Sequence, residues 1–159
     1  YGGGTTRDLL IGIRPVSWIN DNFAIIIVLV ATIITFFFKL NFKLIKKLLV
    51  LTDAFGIGFF TIVGLQIALQ AGISEGYALI MGVITATFGG LLADVLCNSV
   101  PNLLKPGELY ATACLIGGAL YLAMRFFKIN HELSMIICVL ITAAIRIYSI
   151  RKKLQLPVI

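Results

Sequence analysis

Apolar residues in this chain come in long runs separated by short polar joints: Phe23 to Phe38, Leu48 to Ala71, Tyr77 to Leu96, Leu109 to Phe127 and Leu133 to Ile150. Each run is about as long as a bilayer-spanning helix, which takes roughly 20 residues at about 1.5 Å rise per residue. Transmembrane β-strands would alternate apolar and polar positions over about 10 residues, and these runs do not alternate. The pattern therefore predicts an all-α, polytopic membrane helix bundle with five complete spans. Composition agrees, with 60% hydrophobic and 13% charged residues and a mean hydropathy of +1.05. Soluble domains sit near roughly 45–50% apolar and 25% charged, so one soluble core is excluded.

Charge refines this picture. The formal net charge is +6, but the basic residues sit at the ends of apolar runs, with no separate basic domain. They read as topology signals, and nucleic acid is not an expected partner. Lys39, Lys43, Lys46 and Lys47 follow the first complete span, and Arg151, Lys152 and Lys153 follow the last. The positive-inside rule makes both segments cytoplasmic. Four spans separate them, so they must share a side, and the two assignments agree. The count puts Gly72 to Gly76 outside and the loop around Lys105 and Glu108 inside. Arg125 and Lys128 then fall outside, against the rule.

A repeat runs through the chain. Gly3-Gly4, Asp8, Leu10 and Pro15 match Gly89-Gly90, Asp94, Leu96 and Pro101 at one constant offset. Two copies of one structural unit explain the coincidence, which a flexible glycine tag would not produce. Because the second glycine pair lies inside an apolar span, the first is expected inside a helix too. A whole helix and half of another are then expected before residue 1, giving seven in all and an external amino terminus. The units divide as 1–40 (end of the first repeat), 48–127 (second repeat) and 131–153 (last helix and basic tail). Three helices per repeat invert the second copy relative to the first, an arrangement common in transport proteins.

Diglycine holds a helix weakly, at about 1 kcal/mol per glycine relative to alanine, so a helix can kink or break there. Broken backbone in lipid must face protein or water, so the two sites would meet around a polar cavity near the midplane. Close packing of helices through small residues is the alternative. Gly56, Gly58, Gly64 and Gly117-Gly118 are expected to permit such close approach. Thr61, Gln66, Thr85 and Thr87 either line a path or, for the threonines, bond their own helix.

Ionised groups at depth are costly and normally face a partner or a watery path. Arg7 and Asp8 follow the first glycine pair and Asp94 the second. Arg7 has two candidate partners, Asp8 and Asp94. Asp53 either lines a path or sits near the cytoplasmic interface, and Arg146 is expected to reach that interface through its long stem. Cys97, Cys114 and Cys138 read as small buried hydrophobes, and His131 has no partner at ligand spacing, so neither a metal centre nor another cofactor is expected. No nucleophile, base and orienting group come together, so the chain does not read as an enzyme.

GGGTTRDLLIG (Gly2 to Gly12), DAFGIGFFTIVGLQIAL (Asp53 to Leu69), GGLLADVLCNSVP (Gly89 to Pro101) and ELYATACLIGGALY (Glu108 to Tyr121) resemble the bacterial glycine-transporter-domain membrane family. That family is similar in structure to the trimeric intracellular cation (TRIC) channels. The resemblance implies two inverted three-helix repeats plus a final helix, assembled as a homotrimer with one pore per protomer. It also implies that kinked helices carrying Gly3, Gly4, Gly89 and Gly90 line the pore. The family commonly has Arg-Asp after both glycine pairs, whereas this chain has Arg7-Asp8 and Ala93-Asp94.

Two functions remain open on this reading. In the first, a monovalent cation, potassium or sodium, passes down its gradient, with Asp8 and Asp94 raising its local concentration, the kinks gating, and Asp53 a further candidate lining charge. In the second, a cavity between broken helices binds a small zwitterion such as glycine, its carboxylate held by half-helix N-termini and Arg7. Either places the protein in the lipid bilayer of the inner (plasma) membrane, multi-pass, with a cytoplasmic carboxyl terminus.

Overall fold

The computed structural model describes residues 1–19, 21–37, 42–104 and 109–152. Six α-helices follow in order: α1 (Gly2–Ile11), α2 (Asn22–Phe37), α3 (Phe42–Gln70), α4 (Glu75–Leu96), α5 (Ala111–Phe126) and α6 (His131–Lys152), with one 3-10 turn (Asn102–Leu104) before α5. No strand occurs among the described residues, and the fold is an all-α membrane bundle. Leu48–Gln70, Glu75–Leu96 and His131–Lys152 are long and apolar enough to cross a membrane, while Phe23–Phe37 and Ala111–Phe126 are shorter apolar helices. Lys43, Lys46 and Lys47, expected in a loop, belong instead to the first turns of α3. Lys39, Lys153 and the Lys105 to Glu108 segment lie outside the described residues.

The bundle is organised around α3, which packs against α4, α5 and α6, while α1 lies on α4. One apolar core joins Ile62, Leu65 and Ala68 of α3 to Ala78 of α4, Tyr121 of α5 and Cys138 of α6. A second, nearer the start of α5, joins Ile57, Ala86, Tyr110 and Cys114. Cys114 and Cys138 are buried as expected, but Cys97 is exposed, because it caps the end of α4 where no neighbour covers it. α2 leaves Ile26, Leu29, Ile33 and Phe36 exposed.

Lipid tails are as apolar as leucine, so membrane helices associate through close packing of small residues more than through a hydrophobic drive. Most of the span glycines do this work. A Cβ at Gly58 would stand 3.2 Å from Val139 Cα of α6. At Gly64, Gly117 and Gly118 it would collide with the side chains of Thr85, Thr142 and Leu79 respectively. Gly56 differs from its expected role, because nothing lies within 4 Å of the position its Cβ would take. Thr61, Thr85 and Thr87 each donate to the carbonyl four residues back in their own helix, so the spans absorb their hydroxyls locally.

Helix ends follow one rule. After α3, Gly72 takes the left-handed conformation at φ 81° and its N–H bonds Leu69 O, while Ile73 N–H bonds Ala68 O. This Schellman geometry satisfies carbonyls the helix would otherwise orphan. α4 ends the same way through Asn98 at φ 51°, with Ser99 N–H on Asp94 O at 2.9 Å. The last turn of α1 is closed by Gly12 at φ 76°.

Replacing Gly117 with alanine should lower stability by about 1–3 kcal/mol, since Thr142 has to move to admit the methyl group. Gly76, which also has open space at its Cβ, should gain up to about 1 kcal/mol from the same change, the helix-propensity difference alone. Thermal unfolding of the purified protein in detergent measures both, and equal melting temperatures would contradict the packing described.

Candidate functional site

The two diglycine sites meet. A Cβ at Gly3 would run into the carbonyl of Thr85, one at Gly2 would sit 3.4 Å from Gly89 Cα, and one at Gly89 would sit 3.5 Å from Gly3 N. Neither pair interrupts its helix, for α1 and α4 stay α-helical across Gly3-Gly4 and Gly89-Gly90. What the missing side chains provide is contact between two backbones. That is the close-packing alternative, and it coexists with a cavity.

The cavity has a volume of 830 Å³ and is bounded by α1, the segment after it, α3, α4 and Tyr110. Gly3, Gly4, Gly89 and Gly90 all line it, and so do Arg7, Asp8 and Asp53. Asp94 does not belong to its wall; it sits two residues before the end of α4, partly exposed, with its side chain near the Ser99 hydroxyl at 3.4 Å. The sequence repeat aligns Asp94 with Asp8, but of these two Asp8 alone is in the wall.

Of the two candidate partners for Arg7, the structure selects Asp8. Arg7 Nε and Nη2 both donate to Asp8 Oδ1, at 2.9 and 2.6 Å, and the two side chains are 4% and 0% exposed. Asp8 Oδ2 accepts from Ser17 twice, from its backbone N–H at 2.9 Å and its hydroxyl at 2.6 Å. Such a pair repays its desolvation only when further hydrogen bonds satisfy the remaining lone pairs, which Ser17 does here. The chain reaches Ser17 by reversing at Gly12 and passing through the cis Arg14–Pro15 bond. Trp18 Nε1 then donates to Thr5 Oγ1 at 2.8 Å, clasping the segment to α1. Ser17 and Trp18 carried no sequence signal beyond their proximity to a proline.

A second charged group borders the same cavity. Tyr110 donates its hydroxyl to Asp53 Oδ1 at 3.0 Å, Arg146 Nη2 stands 3.8 Å from Asp53 Oδ2, and the Arg146 guanidinium lies 4.4 Å from the centre of the Tyr110 ring. Arg146 therefore does not reach the interface as expected; it is 3% exposed, held between a carboxylate and an aromatic face. Asp53 keeps 42% of its side chain exposed. It is the accessible carboxylate of the cavity, in contrast to the enclosed Asp8. The start of α5 is fixed to α6 by Leu109 N–H, which donates to Ser149 Oγ at 2.9 Å. Among the described residues, no group of three His, Cys, Asp or Glu side chains is placed to hold a metal ion.

The chain is similar to known membrane proteins over most of its length. The sequence model of the family described as "Glycine transporter" matches residues 1–39 and 50–125. The Escherichia coli K12 inner membrane protein YadS, of the UPF0126 group, is 34% identical over 158 residues, 98% of this chain and 76% of that protein. The solved TRIC trimeric intracellular cation channel orthologue from Rhodobacter sphaeroides matches with a TM-score of 0.86 at 35% identity, over 96% of this chain and 78% of the other. A second solved TRIC cation channel, studied for conductance, gives 0.88 at 32% identity over 99% of this chain and 77% of that one.

Asp8→Leu should destabilise the protein by about 3 kcal/mol or more, because it leaves Arg7 buried without its counter-charge. The double variant Arg7→Met/Asp8→Leu removes both charges and should recover most of that loss. A double-mutant cycle on thermal unfolding checks the coupling, and additive single effects would show that the pair does not act as a unit.

Proposed function

Because this chain belongs to the glycine transporter family and has the fold of the TRIC channels, we propose that it conducts monovalent cations, potassium foremost, through one pore in each protomer of a homotrimer. The carrying observation is its near-complete structural likeness to solved TRIC cation channels. The pore of this reading is the cavity between α1, α3 and α4, walled by Gly3, Gly4, Gly89 and Gly90. Residues 1–40 are the end of the first repeat and 48–127 the second, followed by the last helix and tail at 131–153. The protein sits in the inner membrane with its basic tail in the cytoplasm, the side the positive-inside rule assigns.

The charges divide the work by exposure. A permeant cation meets Asp53, whose carboxylate is open to the cavity, and a wall of low dielectric strengthens that attraction. Arg7-Asp8 is internally compensated and holds the wall in place. Asp94 stands away from the cavity and plays the lesser part. Tyr110 fixes one Asp53 oxygen and Arg146 stands 3.8 Å from the other, so the carboxylate is held oriented while it stays open to the cavity.

The family's description favours a second reading, a glycine carrier. A zwitterion's carboxylate needs a cation, and Arg7 already directs Nε and Nη2 at Asp8. Capture by Arg7 would require breaking a buried, doubly bonded pair, which favours the channel. Reconstituted protein in a planar bilayer should show unitary potassium currents, whereas saturable glycine uptake into vesicles without currents would establish the carrier instead.

Asp53→Asn should reduce the unitary potassium conductance at least about twofold at low salt, with the deficit shrinking as salt rises and screens the charge. Single-channel recording across a potassium series measures this. A conductance equal to wild type at low salt would remove Asp53 from the conduction path.

A further inference from the structure

Arg125 and Lys128 oppose the charge rule for their side of the membrane, and conduction gives them no task. They line a second cavity, 520 Å³ in volume, formed where α5 turns into α6 beside the end of α3. About half of its wall is polar: Gln66 and Gln70 from α3, Tyr121 and Arg125 from α5, Lys128 from the turn, and His131 from the start of α6. No carboxylate lines it among the described residues, although Glu132 follows His131 directly. Two exposed cationic side chains therefore border a hollow lined by no carboxylate among the described residues.

The backbone at Lys128 is the second observation. α5 ends in the same Schellman geometry as α3 and α4, with Lys128 N–H on Arg125 O at 2.9 Å and Ile129 N–H on Met124 O at 3.1 Å. The left-handed position is filled by Gly72 after α3 and Asn98 after α4, residues that tolerate it, but by a lysine at φ 54° here. An ordinary L-side chain is strained in that conformation, and strain kept at one of several equivalent turns marks a position where the side chain matters.

The remaining wall is preset for hydrogen bonding. Gln66 Nε2 donates to Tyr121 Oη at 3.1 Å and lies 3.4 Å from His131 Nε2, while Tyr121 Oη and His131 Nδ1 are 2.9 Å apart. An amide nitrogen only donates, so Tyr121 Oη accepts from Gln66. Tyr121 keeps its own hydroxyl proton, for His131 Nδ1 or for a group in the cavity.

We propose that the cavity at the α5–α6 turn binds a phosphate group, with Arg125 and Lys128 as its counter-charges and Tyr121 as a hydroxyl donor. Arginine offers paired donors matched to phosphate oxygens, and lysine acts as a point charge beside it. The site lies at the ends of the membrane helices, the level of lipid headgroups. The phosphate therefore comes either from an anionic phospholipid or from solution.

Lys128→Gly is the decisive variant, because a structural role and a binding role predict opposite results. Relief of the left-handed strain should raise the melting temperature of the unliganded protein by about 2–4 °C, while affinity for the anion should fall about tenfold. Arg125→Gln should weaken binding similarly without the gain in stability. Inorganic phosphate is titrated against the purified full chain by thermal shift, at ionic strength matched with chloride. Retention of phosphatidylglycerol from nanodiscs of mixed phosphatidylglycerol and phosphatidylcholine is read by native mass spectrometry. Saturable phosphate stabilisation lost in both variants identifies the soluble source, and lost phosphatidylglycerol retention identifies the headgroup. Should wild type show neither, or should Lys128→Gly bind as wild type does, the proposal is overturned.

Discussion

The approach of the α1 backbone to α4 is the constraint on which the rest of this structure depends. Gly3 faces the Thr85 carbonyl so closely that no side chain fits, and in lipid such small-residue contact is what holds helices together. Because α1 is pinned at that crossing, the carboxylate of Asp8 and the guanidinium of Arg7 are carried to the edge of the space between α1, α3 and α4. The returning segment can then close on Asp8 through Ser17. Without the glycine contact, α1 would stand off by at least a side chain's width and the cavity wall would not form.

Two kinds of charged group occupy that wall, and burial separates their roles. The Arg7-Asp8-Ser17 cluster is enclosed and fully bonded, so it behaves as a structural rivet whose worth lies in the penalty for breaking it. Asp53 is half open and is steered by Tyr110 and by Arg146, whose guanidinium lies against both the carboxylate and the Tyr110 ring. A bundle that must keep polar groups in hydrocarbon has to give each one a partner. Asp53 meets that requirement through Tyr110 and Arg146 and still opens to the cavity.

Much of this was legible in the sequence, for identifiable reasons. Span positions follow from hydrophobic length alone, and the expected runs match α2 to α6 within a few residues at each end apart from the earlier start of α3. The repeat led to Gly3, Gly4, Gly89 and Gly90, since exact spacing survives where side-chain identity does not. The fate of Arg146 was not legible, because a long cationic stem near a helix end looks alike whether it snorkels or inserts. Only the approach of Tyr110 from another helix decides. Asp94 was misleading for a related reason, as equal register in a repeat does not give equal surroundings. Ser17 and Trp18 act through a chain reversal, and no periodicity announces where a loop will return.

The central claim is that the space between α1, α3 and α4 is the aqueous ion route. Gly56 lines it and has room for a side chain, so Gly56→Cys in a background with Cys97, Cys114 and Cys138 replaced is the direct probe. A water-soluble methanethiosulfonate reagent added during bilayer recording should modify that cysteine and block the potassium current. A current that persists unchanged after complete modification, verified by mass, would contradict the assignment.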